Sequence, residues 1–128
     1  MRLLLDTHTF LWFIEGQSLL SMPARQAIED VTNERLLSIA SIWEIAIKIS
    51  IGKLTLRDPP ASIFPQQLYD NDIALLDITV AHVMGITTLP LHHRDPFDRL
   101  LIAQAMTENL SILSADSAFD GYAVNRLW

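Results

Sequence analysis

Four carboxylates are the residues of this chain whose types and spacing could do chemistry: Asp6, Glu44, Asp98 and Asp116. Intervals of 38, 54 and 18 residues separate them, so they can act together only if the fold gathers them. Each stands at a junction between a candidate strand and the helix after it. An open parallel sheet delivers the carboxyl ends of its strands to one edge, which would bring all four into one neighbourhood. Singly, each has a structural explanation, because a carboxylate near a helix N-terminus gains from the unpaired N–H groups and the macrodipole. Asp6 fits an N-cap, Glu44 the far half of a capping box with Ser41, Asp98 a third-position acid in a helix capped by Asp95, and Asp116 a turn former. Together they would repel strongly at low dielectric, and a hard cation with oxygen ligands resolves that repulsion. Mg²⁺ or Mn²⁺ suits the donor set, since the chain has no cysteine and no histidine stands at these junctions. A carboxylate-held Mg²⁺ suits hydrolysis of a phosphodiester.

The elements that must position these acids follow from alternating periodicities. Arg2 to Leu5 reads as an apolar strand ending at Asp6, and Thr7 to Glu15 as a helix stopped by Gly16. Ser21 with Pro23 starts a second helix through about Val31. Arg35 to Ile39 is a second strand. In the run from Ser41 to Leu54, isoleucines alternate at 45, 47, 49 and 51, as in a strand. A helix is nevertheless expected there, from the Ser41–Glu44 capping pattern, the Glu44–Lys48 pair and the stop at Gly52. A helix broken at Pro65 spans Ala61 to Tyr69, a third strand Ile73 to Ile78, and a Thr79-capped helix runs to about Thr87. After a loop from Leu89 to Arg94, Asp95-Pro96 opens a helix to about Glu108. Leu110 to Leu113 is a fourth strand, and Val124 to Leu127 a fifth at the edge. Strands separated by helices imply right-handed crossovers and a mostly parallel sheet covered on both faces, an α/β sandwich.

Length and composition bound the problem. The 128 residues suit one domain, spanning 1–128. Half are apolar, 19% are charged and mean hydropathy is +0.26, a globular composition and not a disordered one. The absence of cysteine excludes a disulfide framework and thiol nucleophiles and is compatible with a reducing cytoplasm. The N-terminal apolar run is interrupted by Asp6 and His8, unlike a signal sequence. The run from Leu36 to Ile51 carries Glu44 and Lys48 and is too short to span a bilayer, so no membrane partner is expected. Fifteen acids against nine bases give a formal charge of −6, which argues against loose wrapping of nucleic acid by a basic surface. Without the four junction acids the balance is eleven to nine, so most of the excess sits where the cation would.

The segments LLLDTHTFLW, SIASIWEIAIKISIGKL, HHRDPFDRLLIAQA and ILSADSAF resemble the four signature blocks of the PIN-domain ribonucleases, and within them the VapC-type toxins of bacterial toxin–antitoxin pairs. The blocks stand in family order and near family spacing, over nearly the whole chain. The resemblance implies a PIN-like three-layer α/β/α sandwich and Mg²⁺-dependent endoribonuclease activity, with Mn²⁺ as a substitute. Asp6, Asp98 and Asp116 match its metal-binding acids, and Glu44 the acid that completes the site or positions the attacking water. It further implies that water activated by the metal, and no side chain, attacks the scissile phosphate, leaving a 3′-hydroxyl and a 5′-phosphate. A cytoplasmic homodimer and a cognate antitoxin, whose C-terminal segment occupies the catalytic groove, complete the picture. DPFD offers two acids; Asp98 matches the metal acid and Asp95 the helix cap.

Around these acids, Lys48 is expected to orient Glu44 or to contact phosphate. Arg94 and Arg99 bracket Asp98, and their guanidinium forks suit RNA phosphate. Ser114 would hydrogen-bond a metal-bound water or satisfy the end of its strand. His92 and His93 invite a metal or general-base reading, but in a Pro-flanked loop without a second histidine at helical spacing they are expected as exposed loop residues, and His8 and His82 as half-buried helix residues. Trp12 and Phe13, beside Phe10 and Leu11, are too dense for one helix face, which points to a dimer or antitoxin contact or to core packing. Two other classes compete. A receiver-like signalling module needs a phosphoacceptor aspartate on a middle strand and a lysine after the last one; Asp77 fits poorly and no lysine follows Lys53. A catalytically silent PIN-like binding protein is disfavoured by the intact acids.

Overall fold

In the computed structural model, which describes residues 1–128, five parallel strands form one sheet in the order β3-β2-β1-β4-β5. β1 is Arg2–Leu5, β2 Glu34–Ser38, β3 Ile73–Leu76, β4 Ser111–Leu113 and β5 Arg126–Leu127. The chain adds β2 and β3 on one side of β1, then returns to add β4 and β5 on the other. The strand order therefore reverses between β1 and β4, and a crevice opens there at the carboxyl ends, the usual ligand position of open α/β sheets.

Register explains the two cores. Leu4 lies beside Leu36 and Ile112, and Leu5 beside Leu37 and Leu113. Because side chains alternate along a strand, the first row faces one side of the sheet and the second the other. The Leu4 row packs under α7 (Pro96–Glu108), with Leu100 to Ala105, Phe119 and Tyr122. The Leu5 row packs under α1 (Thr7–Ile14), α2 (Met22–Glu29), α4 (Pro60–Ile63) and α5 (Gln66–Asp70), through Phe10, Ala24, Ile28, Ile63 and Leu68. Both rows are almost wholly buried, and full burial of each such side chain stabilises the fold by about 1.5–3 kcal/mol. The result is the expected α/β/α sandwich. No helix is long and apolar enough to cross a membrane.

Several boundaries differ from expectation. The helix containing Glu44, α3, spans Ile39–Ser50 and is capped by Ser38, whose Oγ accepts from the Ala40 N–H at 3.0 Å. The Ser41–Glu44 capping box is therefore absent. Ser41 sits inside the first turn, and Glu44 lies in the second. The isoleucine alternation is absorbed helically: Ile45 is buried, Ile47 and Ile49 half-buried, and Ile51 exposed at the cap. Gly52, at φ +74°, ends the helix as expected. α6 is Val80–Gly85, with the 3₁₀ turn Ile86–Thr88 after it. A further 3₁₀ turn, Ser117–Gly121, begins at Asp116 and lay outside the sequence reading. Of the aromatics on α1, Trp12 and Phe13 are half-buried against the Leu5-side core. His8 is exposed and His82 completely buried, so neither is half-buried as expected. His82 accepts from the Thr79 N–H at Nδ1, and its Nε2 lies 2.8 Å from Glu108, which makes its burial affordable.

Candidate active site

Asp6 follows β1 directly and caps α1, its Oδ1 accepting from the Thr9 N–H at 2.8 Å. Its own N–H donates to the Leu113 carbonyl, and the Thr9 hydroxyl reaches the same oxygen at 2.9 Å. These bonds fasten the first turn of α1 to the end of β4, across the crevice. The residue is 7% exposed.

Glu44 reaches the same edge from α3. Its Oε1 accepts from Thr7 Oγ1 at 2.6 Å and its Oε2 from Lys48 Nζ at 2.8 Å. Thr7 Oγ1 also lies 3.0 Å from Ser41 Oγ. A hydroxyl has one proton, which Thr7 gives to the carboxylate, so Ser41 donates to Thr7 and the chain of bonds runs from α3 through α1 back to α3. Ser41, read as a cap, is instead a support for Glu44. Lys48 forms the i,i+4 ion pair with Glu44 that their spacing allows.

Asp98 lies in the first turn of α7, behind the N-cap Asp95, whose Oδ1 accepts from the Phe97 and Asp98 N–H groups. Burial pushes the Asp98 carboxyl up to about 7, with Asp95, Asp6 and Glu44 adding repulsion and His93 opposing it. Loss of water makes the charged form costly, and three further carboxylates make it costlier. Asp116 follows β4 and caps the 3₁₀ turn, Oδ1 accepting from the Ala118 N–H at 2.9 Å. Ser114 is fully buried and its Oγ accepts from the Asp116 N–H at 3.0 Å, holding the loop that carries this acid.

His93 is the residue that sequence reasoning missed. Expected as an exposed loop residue, its side chain is only 9% exposed, with Nε2 3.4 Å from Asp116 Oδ2 and 4.0 Å from Asp98 Oδ2. One donor atom from each of these three residues falls within 4.8 Å of the others. The Tyr122 hydroxyl accepts from the His92 and His93 N–H groups at 3.0 and 2.7 Å, and the His93 ring packs on Phe119 and Tyr122. Its neighbour His92 is exposed, as expected. A histidine two residues before a helix cap was the only local signal; its partners come from beyond β4.

At the rim, Arg94 is exposed. Arg99 turns away from the crevice and donates to the carbonyls of Pro90, Ile86 and Leu89 at 2.8, 3.3 and 3.4 Å. Trp43, more than half exposed, meets Phe97 edge-on where α3 approaches α7.

The family profile of the PIN domain matches residues 3–125. The chain belongs to the PIN-domain family. Among characterised members it is similar to Ribonuclease VapC16 of Mycobacterium tuberculosis (strain ATCC 25618 / H37Rv), 41% identical over 58 residues. That match takes in 45% of this chain and 41% of the relative, so the chain spans about two-fifths of the curated relative it matches. Among solved structures, VapBC2 from Rickettsia felis, bound to a DNA fragment from its promoter, superposes with a TM-score of 0.72 at 12% identity, covering 99% of this chain and 98% of that one. FitAcB from Neisseria gonorrhoeae gives 0.63 at 14% identity, covering 98% and 96%. A toxin–antitoxin complex from Klebsiella pneumoniae gives 0.63 at 15%, covering 98% and 95%. At these identities the likeness is one of fold.

Proposed function

We propose that this PIN-domain protein is a divalent-metal-dependent endoribonuclease, the toxin of a toxin–antitoxin pair, with Asp6, Glu44, Asp98 and Asp116 as its working acids. One observation carries the reading: a half-buried carboxyl pushed up to about 7 among other acids, at the strand-order reversal of a parallel sheet. Such a cluster lacks positive charge at its centre, since Lys48 compensates Glu44 from one side only. The donors are oxygens, which suit Mg²⁺ or Mn²⁺. Asp6, Asp98 and Asp116 would hold the ion. When bound, it neutralises charge on the phosphate and lowers the pKa of water at the site.

The protein's own groups do the rest. Glu44, fixed by Thr7 and Lys48, orients the attacking water. Asp98 would hold the ion as a carboxylate, its proton released to solvent. Lys48 and Arg94 attract the phosphate backbone at the rim. Asp95 keeps α7 capped and in place. An antitoxin partner is supported by an open apolar groove of about 440 Å³, lined by Ile42, Ala46, Ile49, Pro60 and Phe64. A homodimer is supported by the exposed apolar side chains of Val80, Val83 and Met84 on α6. The protein is proposed to act in the cytoplasm as a single domain over 1–128.

The test is cleavage of a mixed RNA substrate by purified protein. Cutting is expected with Mg²⁺ or Mn²⁺, with 5′-phosphate ends, and is expected to stop in EDTA. Asp6→Asn should reduce the rate about a hundredfold or more, the usual scale for removing one charge-stabilising group. Undiminished cleavage in EDTA would refute the proposal.

A further inference from the structure

His93 is a polar side chain at the acidic centre to which the nuclease reading assigns no task. Its ring is pinned on two sides by Phe119 and Tyr122, with centroids 5.0 and 5.4 Å away. The Tyr122 hydroxyl fixes the backbone on which the ring is mounted. The two ring nitrogens meet opposite surroundings. Nε2 lies within hydrogen-bond reach of the Asp116 carboxylate at 3.4 Å, with Asp98 Oδ2 beyond it at 4.0 Å. Nδ1 is buried and has no hydrogen-bond partner.

That asymmetry selects a tautomer. A proton on Nδ1 would be a buried donor without a protein acceptor, a costly arrangement, and it would turn the bare lone pair of Nε2 toward the Asp116 carboxylate. A proton on Nε2 gives the Asp116 carboxylate a donor and leaves only an unfilled acceptor at Nδ1. The same asymmetry bears on metal binding. A histidine that ligates through Nε2 carries its proton on Nδ1 and nearly always donates it to a carbonyl, carboxylate or water. The protein offers Nδ1 neither a carbonyl nor a carboxylate.

We propose that His93 is a positioning residue of the acidic centre and not a metal ligand: fixed as the Nε2–H tautomer, it donates to Asp116 Oδ2 and aims that carboxylate at the site shared with Asp98. The inference rests on the proposed metal centre for the consequence of that aim, but the tautomer is a property of the protein alone. Asp116 has need of such a hold. It is half exposed, on a loop after β4, and its other oxygen is committed to the Ala118 N–H.

Two measurements test this on the full chain. Long-range ¹H–¹⁵N correlation at pH 8 is expected to show His93 protonated at Nε2 and bare at Nδ1, both metal-free and with Mg²⁺. A proton on Nδ1 in either state overturns the proposal. Calorimetric titration with Mn²⁺ is expected to show binding about 10–100-fold weaker in His93→Phe, the usual cost of removing a group that orients a metal-binding carboxylate. Phenylalanine keeps the packing against Phe119 and Tyr122 and loses only the donor. His93→Gln, whose amide nitrogen reaches close to where Nε2 stood, should recover most of the affinity. Wild-type affinity in His93→Phe, or ¹⁴N coupling from His93 in the electron paramagnetic spectrum of bound Mn²⁺, refutes it. If the wild-type protein binds no Mn²⁺, the nuclease reading fails, and the tautomer measurement still decides the role of His93. The same measurement decides if His93→Phe does not fold.

Discussion

Replacing Asp98 by asparagine should stabilise the metal-free protein, and increasingly so as pH rises. The folded-state carboxyl titrates near 7, against an ordinary value of 3.8. Between those two pH values the folded protein holds a proton that the unfolded chain has lost. Stability therefore falls as pH rises through this window, the reverse of the usual salt-bridged aspartate. At about 1.4 kcal/mol per pH unit the full penalty is about 4 kcal/mol, expressed by pH 8. About 1.5 kcal/mol of it is already present at pH 5, so the asparagine variant should gain about 2–3 kcal/mol on wild type between pH 5 and pH 8. The side chain is 28% exposed, which leaves most of the effect unscreened. Using the difference between two pH values cancels the constant packing effect of the amide. Urea unfolding of both proteins in EDTA measures it, with midpoints at each pH. Saturating Mg²⁺ should then remove the wild-type penalty, because cation binding rewards the ionised carboxylate, while Asp98→Asn should respond weakly to the ion. A wild-type-to-variant gap that is the same at pH 5 and pH 8 would refute the argument that the carboxyl is desolvated and crowded.

The two arginines that bracket Asp98 should separate cleanly. Arg99→Ala is expected to cost about 1–2 kcal/mol in urea unfolding through its three lost carbonyl contacts, while leaving the salt dependence of RNA binding unchanged. Arg94→Ala should leave stability alone and reduce the slope of log affinity against log salt by about 0.7, the value for one phosphate contact on a single strand. Lys48→Met should cost about 1 kcal/mol, since it leaves the buried Glu44 without its cation, and should slow cleavage of a saturating RNA. An unchanged cleavage rate would confine Lys48 to a structural pairing.

That Asp6, Glu44 and Asp116 gather at one sheet edge was legible from a general rule of parallel sheets, whereas Asp98 reaches that edge from α7, which follows a helix and a loop and not a strand. Every strand of such a sheet ends at the same edge, so an acid just beyond a strand is informative without knowledge of any contact. α7 was legible for a different reason: Asp95 and Pro96 are adjacent, and the cap bonds they imply are local. Where two local signals competed, the sequence offered no means of choosing. Ser38 and Ser41 are both sound caps for α3, and the hydroxyl of Thr7 decided between them, by engaging Ser41 from a helix 34 residues away. The 3₁₀ turn after Asp116 is five residues long, too short for periodicity to reveal.

His93 and Arg99 mark the deeper limit. The role of a polar side chain depends on which donors and acceptors surround it, and those come from separate segments brought together by the sheet. For Arg99 the acceptors are carbonyls of Ile86, Leu89 and Pro90, which every residue type possesses, so no composition or spacing could have advertised them. For His93 the decisive feature is an unpartnered Nδ1 against aromatic faces of Phe119 and Tyr122, visible only after the chain segment beyond β4 has folded back over the loop. A histidine in a proline-flanked loop is therefore ambiguous by sequence. It becomes specific once each of its nitrogens can be asked what it faces, and that question separates a ligand from a residue that orients one.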